Sequence, residues 1–324
     1  MKYATIGTSG IASQMIEAAG STGLWELDGV YSRSLARARE FGAGFGCSRA
    51  YDSLSALAKS RADAIYIASP NALHYEQCQL FLQAGKHVIC EKPLTVTPQQ
   101  SRELMQLAKQ NNVILMEAIM MVHQPQRRIL KDALSKIGNI TGVHLDFSQL
   151  SSRYAAFCNG ELPNIFNPEF AAGCLMDLGV YCVYLALDLF GFPKSAFTTA
   201  NFLSTGADGS FTSIFHYPGF LLTLTACKTG QDRCGSEILG DQGTISIEFV
   251  HHLSGISLFH TDGSKEIIFG DVEKRDLMAN EMRDFYRYIT DPEGSAAEYH
   301  AAQKLSLDVS KMMLQMRADA GYPF

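Results

Sequence analysis

The stretch Tyr3-Ala4-Thr5-Ile6-Gly7-Thr8-Ser9-Gly10-Ile11-Ala12 decides the fold, because a short apolar run passes directly through a glycine turn into a helical pattern. We expect a buried strand over residues 3–6 and a helix over residues 12–19. Strand, glycine-rich turn and helix in this order are typical of a dinucleotide-binding turn. Gly7 would allow the tight turn, Gly10 would leave room for phosphate groups, and Ala12 would let the helix lie close to the sheet. Ser9 occupies the place of the second glycine in the strict pattern, so the motif taken alone is a weak signal.

The same turn supplies the predicted contacts with a dinucleotide pyrophosphate. The first N–H groups of a helix have no partner within the helix, and they lie at its positive end. The predicted contact residues of the turn are Gly7, Thr8, Ser9, Gly10, Ile11 and Ala12.

The end of the second predicted strand, residues 27–32, indicates which dinucleotide is preferred. A cofactor with a free ribose 2′-hydroxyl usually meets an Asp or Glu about twenty residues after the turn, and no acid stands there. Ser32, Arg33 and Ser34 instead offer donors, and Arg33 can make a forked contact with a 2′-phosphate. We therefore expect NADP to be preferred, with NAD as the alternative. The other interpretation is that Ser34 only caps the following helix and Arg33 is solvated.

Length and composition favour two soluble domains and a small-molecule ligand. The chain has 324 residues, 47% of them hydrophobic, and a formal net charge of -6. An ordinary domain has roughly 100–200 residues, so a chain of this length is expected to form two domains rather than one. A net negative charge offers no basic field, which argues against nucleic acid and anionic membranes as partners.

Cysteines, histidines and the N-terminus predict a reduced, cytoplasmic protein without a metal. The eight cysteines form no C-x-x-C pair and lie mostly in apolar segments, as packed thiols do. The histidines lack metal-ligand spacing, so we expect no metal site. The chain begins with a core strand rather than a cleavable leader, and we expect no membrane-spanning segment.

The order of elements predicts an α/β protein of two domains. Strand and helix patterns alternate through the first third, which is typical of a Rossmann doubly wound parallel sheet. After about residue 120 the pattern changes to alternating strands separated by Gly/Asp turns, with two helices at the end. We expect a dinucleotide-binding domain over 1–120 and, over 121–324, an α+β domain with a large, mostly antiparallel sheet for substrate binding and oligomerisation.

A lysine follows one of the strands of the first domain. Cys90-Glu91-Lys92-Pro93 ends the strand predicted at 87–90, and Ser69-Pro70-Asn71 with His74 follows the strand before it. In this architecture ligands bind at the carboxyl ends of the strands. The predicted cofactor contacts beyond the turn are Ser32, Arg33, Ser69, Asn71, His74, Glu91 and Lys92.

With these motifs, the chain resembles the Gfo/Idh/MocA oxidoreductase family over nearly its whole length. The resemblance rests on the turn at 7–12, on the segments at 69–74 and 84–93, and on Gly173-Cys174-Leu175-Met176-Asp177-Leu178-Gly179-Val180-Tyr181. Residues 237–245 also look like a segment of the family's second domain. The pattern of Asp177 and Tyr181 is most similar to the dimeric dihydrodiol dehydrogenase and sugar dehydrogenase branch.

The resemblance implies a hydride transfer with Lys92, Asp177 and Tyr181 at the reacting centre. Hydride transfer to or from a carbon must be matched by proton movement on its oxygen, which needs a positioned acid or base. Asp177 and Tyr181 are four residues apart, so on a helix they project from the same face. Tyr181 would carry the proton, and the Lys92 ammonium would favour its phenolate. Asp177 would orient a substrate hydroxyl or Lys92.

Each of these residues also has a plainer interpretation. Tyr181 lies in an apolar helix, where an aromatic side chain usually belongs to the core, and Asp177 can serve the helix dipole. Lys92 can be a solvated loop residue and Asn71 a turn former. His74 is better explained as a hydrogen-bonding residue at a helix start, and Glu91 as a residue that orients Lys92, than as catalysts.

The sequence therefore predicts an NADP-preferring dehydrogenase or reductase for a hydroxyl or carbonyl of a sugar, polyol or cyclic diol. One alternative keeps the scaffold but runs a redox-neutral, cofactor-assisted glycoside cleavage. The other is an NADP-binding sensor or regulatory protein without chemistry. The resemblance also implies a homodimer or homotetramer formed through the sheet of the second domain.

Overall fold

The computed structural model describes residues 1–324, which divide into two compact units. The first unit comprises residues 1–120 and 273–307, and the second comprises 121–272 and 308–324. The helices are α1 Gly10–Ser21, α2 Leu35–Ala43, α3 Leu54–Ala58, α4 His74–Gln83, α5 Pro98–Gln110, α6 Gln126–Ala133, α7 Tyr154–Cys158, α8 Val180–Phe190, α9 Lys274–Thr290 and α10 Ala296–Ala320. The strands are β1 Lys2–Ile6, β2 Glu26–Tyr31, β3 Ala50–Tyr51, β4 Ala64–Ile67, β5 His87–Glu91, β6 Leu115–Ala118, β7 Ile140–Ser148, β8 Ser195–Phe202, β9 Asp208–Tyr217, β10 Phe220–Cys227, β11 Ser236–Gly240, β12 Gly243–Phe249, β13 Ser254–His260 and β14 Lys265–Phe269.

The first unit is built on a six-stranded sheet with strand order β3-β2-β1-β4-β5-β6. Every neighbouring pair is parallel, which confirms the predicted doubly wound sheet. The central strand β4 is apolar along its whole length, and all four of its residues are buried. Such continuous burial is expected of a parallel sheet with helices on both faces. The order of strands reverses between β1 and β4, where dinucleotides bind in this fold.

The segment 273–307 belongs to the first unit, although the sequence suggested that everything after residue 120 lies in the second domain. The helix α9 packs on α1, and the Trp25 ring stacks on Phe285 with ring centroids 5.4 Å apart. The indole N–H of Trp25 also donates to the Met282 carbonyl oxygen at 3.0 Å. Trp25 and its partners on α9 are about 250 residues apart in the chain. A pattern read along the sequence does not show such contacts, so it placed this segment in the second domain.

The second unit contains an eight-stranded sheet with strand order β14-β13-β12-β11-β7-β10-β9-β8. All neighbouring pairs are antiparallel except β7 and β10, which are parallel, so the sheet is mostly antiparallel, as predicted. Its strands alternate between buried and exposed residues, as in β9. One face of the sheet is therefore covered and the other is open.

The covered face packs against the apolar helix α8 and the turn before it. The first eight residues of α8 are all buried. The segment 168–190 is long and apolar enough to cross a membrane, with a mean hydropathy of 1.8, but 89% of it is buried within the protein. It is therefore the core helix of the second unit.

Candidate functional site

The dinucleotide turn in the first unit has the predicted geometry. Gly7 directly follows β1 with a φ of +111°, and a Cβ at this position would lie 2.7 Å from the Ala68 carbonyl oxygen. Only glycine fits a left-handed backbone this close to another main chain. At Gly10, the first residue of α1, a Cβ would meet nothing within 4 Å. The Ser9 side chain does not cap the helix, so the N-terminus of α1 faces open space and fits a phosphate.

The structure adds Arg37 to this turn, a residue that the sequence analysis did not identify. Its Nε donates to Thr8 Oγ1 at 2.7 Å, and its Nη2 donates to the Thr8 carbonyl oxygen at 3.4 Å. Ser34 caps α2 by accepting the N–H of Arg37, which fixes the helix start that carries this guanidinium. The sequence could have indicated Arg37, because this residue lies four positions after Arg33, in the first turn of the following helix.

Ser32 and Arg33 lie at the end of β2, as expected. The Ser32 hydroxyl accepts the N–H of Ser34 at 3.3 Å, and Arg33 is exposed. The strand end therefore presents hydroxyl and guanidinium groups and no carboxylate. Ser34 caps α2, as the other interpretation expected, and this capping is compatible with cofactor contacts of Ser32 and Arg33.

The loops after β4 and β5 are joined by a buried histidine. His74 is fully buried, with Nε2 at 2.9 Å from the Ser69 carbonyl oxygen and Nδ1 at 2.9 Å from the Pro93 carbonyl oxygen. Burial lowers the pKa of His74. The Ser69 hydroxyl donates to Gln77, and Asn71 begins a short 3₁₀ turn. His74 thus joins the loops after β4 and β5, and its predicted contact with the cofactor stays a prediction.

Lys92 follows β5, and carboxyl groups surround the strand ends beside it. The Glu91 Oε1 accepts the hydroxyl of Tyr66 at 2.6 Å. Burial raises the pKa of Glu91, while the Tyr66 hydroxyl and the Lys92 ammonium oppose this rise. Glu91 is therefore tied to Tyr66 beside Lys92, and its role in orienting Lys92 stays a prediction.

Two further acids of this region come from distant parts of the chain. Glu117 on β6 accepts the N–H of Leu94 at 2.9 Å and also the hydroxyl of Ser306, so it fixes the backbone just after Lys92. Glu281 on α9 is 1% exposed, and one of its oxygens has no hydrogen-bond partner. Burial raises the pKa of Glu281 well above its usual range, and Glu91 and Glu117 add to this rise. The sequence shows neither the hydrogen bond between Ser306 and Glu117 nor the proximity of Glu281 to the other two acids, because these residues are far apart along the chain.

Asp177 lies in a π-helical turn, Leu175–Gly179, that leads directly into α8. The Val180 N–H donates to the Leu175 carbonyl oxygen, five residues back, where an α-helix would use the fourth. Turns of this kind are rare and frequent at functional sites. Asp177 and Tyr181 are both helical, as predicted, but the helix between them is not a regular α-helix.

The start of this turn is held by Asp208 on β9. Its carboxylate accepts the N–H groups of Cys174 at 2.9 Å and Leu175 at 2.8 Å, and the Tyr322 hydroxyl at 2.8 Å. Burial raises the pKa of Asp208 to about 6, against these three donors. Gly173 has a φ of +142°, and a Cβ there would overlap with the Asp208 carboxylate. The sequence around Gly173 therefore serves to bring the helix N-terminus onto this acid.

A buried lysine that the sequence analysis missed pairs with Asp177. Lys228 directly follows β10 and donates from Nζ to Asp177 Oδ2, with side chains 1% and 31% exposed respectively. Its ammonium lies 6.0 Å from the centroid of the Phe166 ring. Asp177 is therefore part of an ion pair within the second unit. The plainer interpretation, in which Asp177 only complements the helix dipole, does not account for this ion pair.

Tyr181 is largely buried, at 9% exposure, among aromatic rings. Its ring makes edge contacts with Phe147, at 5.6 Å between centroids, and with His251, at 6.0 Å. Phe147 and His251 stack on each other at 4.5 Å. These contacts fix the ring of Tyr181 at the carboxyl end of β7.

A polar cavity of about 730 Å³ also lies in the second unit. Its walls include Phe147 and His251, but also Ser246, Ser257 and Ile267. Ser246 and Ser257 alternate with the buried isoleucine and leucine residues of β12 and β13, and Ile267 on β14 pairs with Ser257, so all three belong to the open face of the sheet. Most of this cavity therefore lies on the face opposite α8.

Two family descriptions match the chain, one for each part of the fold. The description "Oxidoreductase family, NAD-binding Rossmann fold" matches residues 1–119, and "GFO/IDH/MocA C-terminal domain" matches residues 129–246. The chain belongs to the GFO/IDH/MocA family. It is an oxidoreductase with an NAD-binding Rossmann domain, which confirms the resemblance and the predicted enzyme class.

Named relatives agree with this assignment, and solved structures share the fold. The scyllo-inositol 2-dehydrogenase (NADP(+)) IolU of Bacillus subtilis (strain 168) is 38% identical over 326 residues, covering 100% of this chain and 98% of the relative. The trans-1,2-dihydrobenzene-1,2-diol dehydrogenase of Mus musculus is 33% identical over 59% of this chain and 56% of its own. The fold is similar to that of KijD10, a 3-ketoreductase from Actinomadura kijaniata solved with NADP and TDP-benzene. That similarity has a TM-score of 0.85 at 22% identity, over 99% of this chain and 98% of the other.

Proposed function

We propose that this protein is an NADP-preferring dehydrogenase or reductase that acts on a hydroxyl or carbonyl carbon of a sugar, polyol or cyclic diol. The observation that carries the proposal lies within the first unit. The open N-terminus of α1 and Lys92 stand at the carboxyl ends of β1 and β5, which is the same edge of one parallel sheet. A cation at the edge that binds a dinucleotide can hold a substrate oxygen or the ribose next to the nicotinamide.

The residues that would hold the cofactor are those of the turn at 7–12 together with Ser32, Arg33, Ser69, Asn71, Glu91 and Lys92. The preference for NADP rests on Arg33 and Arg37, because Arg33 follows β2, Arg37 contacts Thr8 of the turn, and a guanidinium group can make a forked contact with a 2′-phosphate. The inositol dehydrogenase relative named above carries NADP(+) in its name, which supports the same preference. When bound, the nicotinamide supplies or accepts the hydride.

The protein's own residues handle the proton and the substrate's orientation. Tyr181 gives a proton to the substrate oxygen in reduction and takes it in oxidation. Lys92 provides the positive charge that favours the phenolate, and each pKa unit so gained corresponds to about 1.4 kcal/mol. Asp177 accepts a hydrogen bond from a substrate hydroxyl. The aromatic contacts of Tyr181 keep its hydroxyl in one place between turnovers.

The substitution Tyr181→Phe tests this assignment. We expect kcat to fall at least about 100-fold, because general acid–base catalysis contributes about 10²–10⁴-fold. The affinity for NADPH, measured by fluorescence titration, should change less than about twofold. Tyr184→Phe, in the same buried helix, is the matched control and should keep most of the activity. Unchanged turnover of Tyr181→Phe would remove the tyrosine from the mechanism.

A substrate panel separates this function from the two alternatives. Aldoses, inositols and trans-1,2-cyclohexanediol are offered with NADP⁺ and NAD⁺, and NADPH formation is followed by absorbance. Net NADPH formation with one class supports the proposal and names the substrate class. Product release without net NADPH change identifies glycoside cleavage, and NADPH binding without any turnover identifies a sensor.

We further propose that the protein forms a homodimer or homotetramer through the open face of the second unit's sheet. The exposed apolar side chains on this face include Phe197 at 64% and Ile267 at 71%, at opposite edges of the sheet. Phe197 lies directly opposite Ile214, which is also exposed, in the register of β8 and β9. An apolar surface spread over a broad sheet is typical of a protein–protein interface. A cytoplasmic location is supported by the free cysteines, two of which are exposed.

A further inference from the structure

One buried carboxylate holds the start of the helical segment 174–190, which carries two of the predicted catalytic residues. Asp208 on β9 is fully buried, its Oδ1 accepts the Cys174 N–H at 2.9 Å, and its Oδ2 accepts the Leu175 N–H at 2.8 Å. The first N–H groups of a helix have no partner within the helix, so they need an acceptor from outside. A Cβ at Gly173 would overlap with the carboxylate, so glycine is required for this approach. Asp208 therefore fixes the place from which the helical segment starts.

A third donor to this carboxylate comes from a residue that follows α10. The Tyr322 hydroxyl donates to Asp208 Oδ2 at 2.8 Å, so this oxygen accepts from both Leu175 and Tyr322. An ionised carboxylate only accepts hydrogen bonds, whereas a protonated carboxyl group turns one oxygen into a donor. The three donors therefore match the ionised form of Asp208, which burial disfavours by raising the pKa of Asp208 to about 6. Of these donors, only the Tyr322 hydroxyl belongs to a side chain and can be removed by substitution.

Contacts within the second unit hold Tyr322 itself in place. Its N–H donates to the Arg317 carbonyl oxygen at 3.1 Å, and its ring meets the Phe202 ring edge-on at 5.1 Å between centroids. The side chain of Arg317 donates from Nη1 to the Phe324 carbonyl oxygen at 3.2 Å and lies 5.2 Å from the centroid of the Phe324 ring. The residues after α10 are thereby tied to the end of that helix, and the Tyr322 hydroxyl is directed at Asp208.

The charged and titratable groups that face this contact come from α10 and the residues after it, from the helical segment and from the end of β10. They are Tyr322, Arg317, Cys174, Asp177, Cys227 and Lys228. Burial and the charge of Asp208 raise the pKa of Tyr322, so its hydroxyl remains a donor. Burial raises the pKa of Cys174 well above its usual range, so its thiol is uncharged. Of Asp208, Tyr322 and Cys174, only Asp208 therefore changes its charge near neutral pH.

We infer that Tyr322 and Asp208 are positioning residues of the reacting centre: the tyrosine hydroxyl keeps Asp208 an acceptor, and Asp208 holds the helix start that sets the places of Asp177 and Tyr181. The inference rests on the proposed dehydrogenase function for the roles of Asp177 and Tyr181. It adds a contact from the residues after α10, which act on the reaction through the backbone of the helical segment. Reacting groups must be held closely in place, so a small displacement of the helix start should lower turnover.

The kinetic test compares kcat between pH 5.5 and 9, with NADP⁺ and the best substrate of the panel described above. Tyr322→Phe removes a donor to the charged form, so the pKa of Asp208 should rise. A rise of one unit lowers the ionised fraction at pH 6 about fivefold, so kcat relative to the unmodified protein should fall about fivefold at pH 6 and return to within about twofold at pH 8.5. Asp208→Asn cannot ionise, and it should lower kcat about 10-fold or more at every pH.

Two further variants make the kinetic result specific. Tyr217→Phe removes the hydrogen bond from a tyrosine hydroxyl to the Gly191 carbonyl oxygen at the other end of β9, and it should keep the pH profile of the unmodified protein. The double variant Tyr322→Phe/Asp208→Asn should be no worse than Asp208→Asn alone, because the tyrosine acts through the carboxylate. NADPH affinity should be equal in all variants.

Hydrogen exchange followed by mass spectrometry tests the same contact without catalysis. At pH 6, the N–H groups of Cys174 and Leu175 should exchange about fivefold faster or more in Tyr322→Phe than in the unmodified protein, and Tyr217→Phe should not change them. Unchanged exchange at these two positions would overturn the inference, and so would a kcat ratio that does not depend on pH. Thermal melts check that each variant is folded, and if Asp208→Asn is not, the Tyr322→Phe results decide alone. Failure of the unmodified protein to turn over any panel member would instead refute the proposed function, and the roles of Asp177 and Tyr181 with it.

Discussion

Replacing the two glycines of the dinucleotide turn by alanine should lower the stability of the first unit at Gly7 but not at Gly10. At Gly7 an added Cβ meets two penalties. A left-handed backbone costs a non-glycine residue about 1–2 kcal/mol. The Cβ would also lie 2.7 Å from the Ala68 carbonyl oxygen, so the ends of β1 and β4 must move apart, at about 1–3 kcal/mol by analogy with overpacking. Gly7→Ala should therefore destabilise the first unit by about 2–5 kcal/mol.

At Gly10 neither penalty applies. An added Cβ meets nothing within 4 Å, and the residue is the first of α1. Alanine should leave stability unchanged or raise it by about 0.4–1 kcal/mol through the unfolded state. The open space in front of this residue is, however, the predicted path of the pyrophosphate. Gly10→Ala should therefore weaken NADPH binding about 10-fold or more.

Two measurements on the same samples decide the outcome. Thermal unfolding should show a Tm lower by roughly 4–20 °C for Gly7→Ala, at about 2–4 °C per kcal/mol, and no lowering for Gly10→Ala. Fluorescence titration with NADPH should show a loss of affinity for both. Gly20→Ala, near the other end of α1 and equally free of neighbours within 4 Å, is the control; it should leave the NADPH affinity unchanged and should not lower the Tm. A Gly10→Ala protein that binds NADPH normally would refute the assignment of the turn.

Three further outcomes follow from the structure. Arg37→Ala should raise the Kd for NADPH about 10- to 100-fold while changing that for NADH less than about threefold, and equal changes for both would remove Arg37 from 2′-phosphate recognition. Glu281→Gln should raise the Tm more at pH 8 than at pH 5. Burial raises the pKa of Glu281, so the contribution of this carboxyl group to stability is complete only below its unfolded pKa of about 4.3. As the pH rises towards the folded pKa, this stability is lost at about 1.4 kcal/mol per pH unit. An equal Tm difference at both pH values would contradict this. Sedimentation should give a particle larger than the 35.6 kDa chain, and Ile267→Lys should reduce it; a 35.6 kDa particle from the unmodified protein would contradict assembly.

The first unit could be predicted in detail because its signals are local. Apolar strands bounded by glycine turns, and a helix capped by Thr97 at Pro98–Gln110, need only the nearest residues to be recognised. In the second unit, β10 and β12 show the alternation that the sequence analysis expects after residue 120. The strand β9 follows the same rule, whereas polar and small residues weaken the period-two signal in β8.

The sequence names candidate site residues, but it does not show the buried contacts that hold them. The sequence places Lys92, Asp177 and Tyr181, but it gives no sign that Lys228 pairs with Asp177, because fifty-one residues separate the two. The same applies to Glu281 beside Glu91 and Glu117, which come from three separate elements. A lysine directly after the alternating strand β10 was a signal, since a charge at the end of a buried strand requires a partner.

The helix that carries Asp177 and Tyr181 shows why spacing alone is insufficient. Four residues on a regular α-helix put two side chains on one face, and this was the basis for expecting them to meet one ligand. Asp208 changes the geometry, because it draws the first N–H groups of the segment to itself and Gly173 allows the chain to approach it. The extra residue in the following π-helical turn then alters the direction in which Asp177 leaves the helix. The lysine behind Asp177 becomes necessary for the same reason, since a carboxylate displaced from the regular helical position needs another group to fix its direction.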